Sequence, residues 1–140
     1  MKRNILISIL MVLALSACDN KRDHNGDLGG MWQLTEWRNP EGTTMATKED
    51  QIFYSVQLNL IRFRDYDDGT GGDYYLAYFR HTPDSLIVYR PVNYAKDSLV
   101  SLTDLARYGV PANGRFHIDV LTNDLMVLTS SEGAINFRKY

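Results

Sequence analysis

Apolar and polar side chains alternate at every second position in short runs between Gly30 and Lys139, and no other feature restricts the chain as much. A period of two puts successive side chains on opposite faces of a strand, whereas a helix needs a period near 3.6. The first run, Gly30-Met31-Trp32-Gln33-Leu34-Thr35-Glu36-Trp37, opens with Gly-x-Trp. Trp32, Leu34 and Glu36 share one face of it, and Met31, Gln33, Thr35 and Trp37 share the other, so Trp32 is the expected inward anchor. Nine Tyr, five Phe and two Trp suit the pleated, half-buried surface of a sheet. An all-β domain is therefore the expectation.

The later runs complete the pattern. Ile52 to Arg64 alternates throughout, but its phase slips at Leu60-Ile61, where Ile61 and Phe63 become the apolar positions. A one-residue slip exchanges the two faces, so a β-bulge or break is expected there. Tyr74 to His81 and Ser85 to Arg90 flank the turn Thr82-Pro83-Asp84, and both faces of the first are aromatic. One face is core; the other is available for recognition. From Gly114 three strands meander: Phe116, Ile118 and Val120 point inward, Leu125 to Thr129 pairs back, and Ala134 to Lys139 closes with Ile135 and Phe137 inward. Thr43 to Asp50 reads as a loop or short helical piece. Ser101 to Pro111 has Ser and Asp three apart as in a capping box, apolar Leu102, Leu105 and Ala106, and then Gly109 and Pro111. That is a short amphipathic helix suited to plugging one barrel mouth. The count is seven strands, or eight if the long run splits. The expected fold is a small antiparallel up-and-down β-barrel with one short helix, closed so that no edge is exposed.

The N-terminus has a separate role. Met1-Lys2-Arg3-Asn4 is basic, and the apolar run Ile5 to Leu15 is too short to span a bilayer. It ends in Leu15-Ser16-Ala17-Cys18, which resembles the lipobox of bacterial lipoproteins. The resemblance implies cleavage before Cys18 and lipidation of its thiol, with several acyl chains holding the protein to a membrane. Residues 1–17 are then a signal peptide, 18–28 a polar, Gly-rich tether, and 29–140 the barrel domain. The expected location is the cell envelope, at the outer membrane.

Composition narrows the chemistry. Lys and Arg total 15 against 17 acids, a net charge of −2; removing residues 1–17 takes Lys2 and Arg3 and no acid, leaving −4. Such a chain has no electrostatic footprint for nucleic acid. Cys18 is the one cysteine, so the mature domain has neither disulfide nor thiol nucleophile. His24, His81 and His117 lack metal-ligand spacing, and His117 with Asp119 reads as a surface pair. Asp65 to Asp73 fails the calcium-loop pattern, with Gly69 at position five, Thr70 at six and Leu76 at twelve. No catalytic motif, metal site or cofactor site is expected, and the chain does not read as an enzyme.

The Gly-x-Trp strand, the meander of short strands and the closing Ile135-Asn136-Phe137-Arg138-Lys139-Tyr140 resemble the lipocalin-like bacterial lipoproteins, a family of uncharacterised function. In lipocalins proper the motif Trp, here Trp32, lies at the closed end of the barrel, and an Arg near the last strand packs on it; Arg138 is the candidate. The resemblance implies a small apolar or amphipathic ligand, with Trp32, Tyr54, Tyr78 and Arg80 as candidate binding residues. The alternative is a filled barrel that docks an envelope protein as accessory subunit or inhibitor. Interior volume separates the two. Large side chains at Trp32, Tyr54, Leu58, Phe116 and Phe137 favour the filled barrel, and a cavity rimmed by Tyr78 and Arg80 favours the ligand.

Overall fold

A computed structural model describes residues 25–66 and 74–140. The expected signal peptide, Cys18, the expected tether as far as residue 24 and the acidic loop from Asp67 to Asp73 lie outside the described residues. Ten strands follow one another: β1 (Gly30–Arg38), β2 (Thr44–Thr47), β3 (Ile52–Gln57), β4 (Leu60–Asp65), β5 (Tyr75–His81), β6 (Ser85–Asn93), β7 (Ser98–Leu99), β8 (Arg115–Leu121), β9 (Leu125–Ser130) and β10 (Gly133–Lys139). Eight of them form a closed antiparallel barrel in the order β1-β3-β4-β5-β6-β8-β9-β10, and β10 pairs back onto β1. The remaining two are accessory: β2 pairs with the second half of β1, and β7 pairs with β6.

The expected barrel is present, and the long run from Ile52 to Arg64 is its principal revision. It is a hairpin of two strands, in register from Ile52 opposite Asp65 to Gln57 opposite Leu60, turning at Leu58-Asn59 rather than bending at Leu60-Ile61. Reversal of direction at this turn accounts for the slip in phase. Leu58 takes a positive φ of 54° and is 67% exposed, so it is not an inward residue. Its carbonyl accepts a hydrogen bond from the Asn25 amide at 2.7 Å.

Bulges change three further faces. Register slips between Leu34 and Glu36 on β1, so Trp37 turns inward although it alternates out of phase with Trp32. Both indoles are buried, and both donate to backbone carbonyls at 2.8 Å: Trp32 to Leu28, Trp37 to Glu132. A second slip between Ile118 and Val120 turns Val120 outward. A third, opposite Leu76 and Tyr78, falls on β6, where Arg90 has a positive φ of 50°. That bulge lets β6 run on to Asn93, past the point where Pro91 breaks the sequence pattern.

Each end of the barrel is covered. At one end the turn Gly26–Leu28 buries Leu28 completely; these residues, counted with the tether in the sequence, pack on the domain. At the other end lies the expected plug, Leu102–Tyr108, as a 3-10 helix. The Ser101 side chain caps it, Asp104 returns a bond to the Ser101 amide, and Gly109 ends it at φ 83°. Three residues per turn align Leu102, Leu105 and Tyr108. Leu105 and Tyr108 are therefore the buried pair, while Ala106, expected on that face, is exposed. Thr44–Thr47 and Lys48–Asp50 are a short strand and a 3-10 turn where a loop or helical piece was expected.

Candidate binding surface

The inward positions of the eight strands are filled. Trp32 and Leu34 of β1, Tyr54 and Val56 of β3, Ile61 and Phe63 of β4, and Phe137 of β10 are at most 3% exposed. The Tyr54 ring lies 4.6 Å from that of Phe63 and 4.7 Å from that of Phe137, centroid to centroid. Its hydroxyl donates to the carbonyl of Tyr108 in the plug. Burial first, and the neighbouring Tyr108 second, push the Tyr54 phenol far above its ordinary pKa. The core thus runs unbroken from the strands into the plug.

The four candidate binding residues are not brought together. Trp32 and Tyr54 are paired neighbours inside the barrel, whereas Tyr78 and Arg80 point outward from β5. Tyr78, 39% exposed, stacks on Tyr89 of β6 at 5.9 Å, and Arg80 lies 5.2 Å from the Tyr89 ring centre. Nor does Arg138 pack on Trp32. Its guanidinium donates to Gln33 on the outer face at 2.8 and 2.6 Å, and Lys139 stands over the indole instead. His117 and Asp119 pair on the exposed outer face at 2.5 Å.

Sequence reasoning marked the outer face of Tyr74 to His81 for recognition but did not join it to the outer faces of β3, β4 and β6. Arg62 and Arg64 project from β4; Arg64 lies 4.4 Å from the Tyr66 ring and 5.9 Å from that of Tyr74, and Arg62 lies 5.7 Å from Tyr74. Tyr74 stacks on Tyr94 at 4.6 Å. Partial desolvation, then a hydrogen bond with Tyr94, raises the Tyr74 phenol above its ordinary value. On the other side of Tyr66, Phe53 makes edge contacts to Tyr66 and Tyr140 at 5.3 and 5.2 Å. The result is a continuous band of aromatic rings and guanidinium groups across the outside of the sheet. Beside Arg62 it contains a depression of about 340 Å³ whose walls include Ser55, Leu60, Tyr74 and Leu76. Two further depressions, of about 460 and 340 Å³, also open outward, one at the seam of β6 and β8 and one beside Phe53. A signal for this surface was available in the sequence: from Ile52 to Arg64 and from Tyr75 to Asn93 the strands contain Arg62, Arg64, Arg80 and Arg90 and no Asp or Glu, Asp84 being in a turn.

A closed eight-stranded antiparallel barrel with a Gly-x-Trp first strand, its ends covered by short 3-10 segments, defines a lipocalin-like protein. The chain belongs to the lipocalin-like domain family, whose model matches residues 12–140. A crystal structure of a lipocalin-like protein from Bacteroides uniformis is similar with a TM-score of 0.62 at 20% identity, over 82% of this chain and 100% of that one. An uncharacterised protein from Bacteroides eggerthii gives 0.59 at 25% identity, over 80% and 98%. The NMR structure of a protein from Burkholderia xenovorans gives 0.53 at 12% identity, over 79% and 81%. No curated protein shows significant similarity to the chain.

Proposed function

We propose that the chain is a lipid-anchored protein of the cell envelope whose barrel is a filled scaffold, and that it recognises an envelope protein on its outer face. The observation that supports this reading is the packing of Tyr54. Its ring is wedged between Phe63 and Phe137, and its hydroxyl is bonded into the plug, at the place where an interior ligand would lie. Exposed tyrosines and arginines on one face are the residue types that form the centres of protein interfaces. No catalytic group enters the proposal.

The anchor rests on Leu15-Ser16-Ala17-Cys18, and the proposed membrane is the outer one. Seven peptide links from Cys18 to Asn25 reach at most about 25 Å. On this reading the barrel end bearing Leu58 faces the bilayer and the flank of β3 to β6 is accessible to a neighbour.

Two measurements test the reading. Native mass spectrometry of the Cys18→Ser mature chain, purified from its own envelope, is expected to give a bare mass; a retained adduct of a few hundred daltons would overturn the filled scaffold. Fractionation is expected to find the same variant released from membranes, and continued membrane association would overturn the anchor.

A further inference from the structure

The geometry points to a carboxylate-bearing segment of the partner protein as the occupant of the outer face of β4 to β6, with the depression at Arg62 receiving one acidic side chain. This rests on the outer-face reading above and names the chemistry of its partner.

Three observations carry it. First, the Arg62 Nε is buried and has no hydrogen-bond partner among the described residues. A buried N–H donor without an acceptor is uncommon and costly in a folded chain, and this one lies in a depression walled by neutral Ser55, Gln57, Leu60, Tyr74 and Leu76. An acceptor that reaches inward completes it. Second, charge is segregated. Strands β3 to β6 contain four arginines, and their single acid, Asp65, is held by Arg107 of the plug. The whole mature chain is nevertheless net negative, so the strands of this flank are cationic on an acidic protein, with the acidic loop from Asp67 to Asp73 outside the described residues. Third, every one of these cations is arginine. Its planar fork binds a carboxylate through two donors and stacks on aromatic rings, whereas a lysine ammonium acts as a point charge. The Tyr74 and Tyr89 rings beneath Arg62, Arg64 and Arg80 hold those forks in place.

The backbone sets a further condition. β4 is paired on both sides, to β3 and to β5, so a partner cannot add a strand there and must engage through side chains. A bilayer surface is a poorer fit, since a flat array of headgroups does not enter a depression walled by Leu60, Tyr74 and Leu76.

The test uses the Cys18→Ser mature chain and two synthetic probes, hexaglutamate and hexaglutamine, with binding followed by NMR shifts of the backbone amides. The proposal expects hexaglutamate to shift residues of β4 to β6, to weaken as salt is raised, and to bind at least tenfold more tightly than hexaglutamine. Arg62→Gln is expected to lose tenfold or more in affinity. Arg62→Lys, which keeps the charge but not the Nε donor, is expected to lose most of that. Arg138→Gln, on β10 across the barrel from β5, is expected to change nothing. Equal binding of the two peptides, no binding of hexaglutamate, or equal losses for Arg62→Gln and Arg138→Gln would each overturn the proposal. So would binding of phosphatidylglycerol vesicles that depends on Arg62, because the occupant would then be a membrane. Amide dispersion of each variant verifies its fold. The filled-scaffold reading is tested separately by the native mass, so a failure of one is distinguishable from a failure of the other.

Discussion

Lys139 holds its ammonium 4.6 Å above the ring of Trp32 and donates to the carbonyls of Asp27 and Gly29, each at 2.8 Å. One side chain of the last strand thereby joins the first strand to the turn that covers the barrel end. Lys139→Met keeps the aliphatic stem and removes the charge and both bonds. It is expected to cost about 1–2 kcal/mol in urea denaturation, and a loss under about 0.3 kcal/mol would show that the contact is decorative.

Trp32 is fully buried and its indole N–H is used. Trp32→Ala leaves a cavity and is expected to cost roughly 3–5 kcal/mol. If denaturant midpoints moved by less than about 1 kcal/mol equivalent, the Gly-x-Trp strand would not be the anchor described.

The plug makes a positional prediction. Leu105 is buried and Ala106 is exposed, so Leu105→Ala is expected to cost about 2–4 kcal/mol and Ala106→Ser less than about 0.5 kcal/mol. An α-helical plug would bring the two costs together, and thermal melts of both variants decide between the two geometries.

Gly133 has a φ of 103°, and a Cβ there would stand 1.9 Å from the carbonyl oxygen of Arg38. That contact lies on the β1–β10 seam that closes the barrel. Gly133→Ala combines an unfavourable φ with a backbone clash, so a loss of at least about 2 kcal/mol is expected. Wild-type stability in this variant would mean that the seam is open in solution.

Tyr54 links stability to alkaline pH. In the unfolded chain its phenol ionises near pH 10, while in the folded barrel burial holds the proton on well beyond that. Above about pH 10 the folded state therefore binds more protons than the unfolded one, and its stability falls by about 1.4 kcal/mol per pH unit from this group. Below that pH the group contributes no slope. Tyr54→Phe should flatten the alkaline limb by that amount; an unchanged limb would place the Tyr54 hydroxyl in contact with water.

Much of the architecture is legible in local pattern. The inward positions Trp32, Tyr54, Phe63, Phe116, Ile118, Ile135 and Phe137 follow from alternation, the turns at Thr82 and Thr122 from their residue types, and the plug boundaries from Ser101, Asp104 and Gly109. Three of the misplacements share one cause. Trp37, Val120 and the end of β6 depend on bulges, which insert one residue against a partner strand remote in sequence. Leu58 resembles one more apolar strand position, and its turn is held by Asn25, 33 residues earlier.

The site was less legible for the same reason. Arg62 lies on β4, Tyr74 just before β5, Tyr89 on β6 and Tyr94 just after it, and only pairing of β4, β5 and β6 brings these segments side by side. The sequence by itself determined most of the barrel strands, most of the inward face and the absence of acids from β3 to β6 outside Asp65, because each is a local matter of period or composition. Tertiary structure alone decided which indoles share the core, that Lys139 rather than Arg138 covers Trp32, and that the arginines meet tyrosines on the outside. Those outcomes depend on register between distant strands, and register is set when the barrel closes rather than by any one segment.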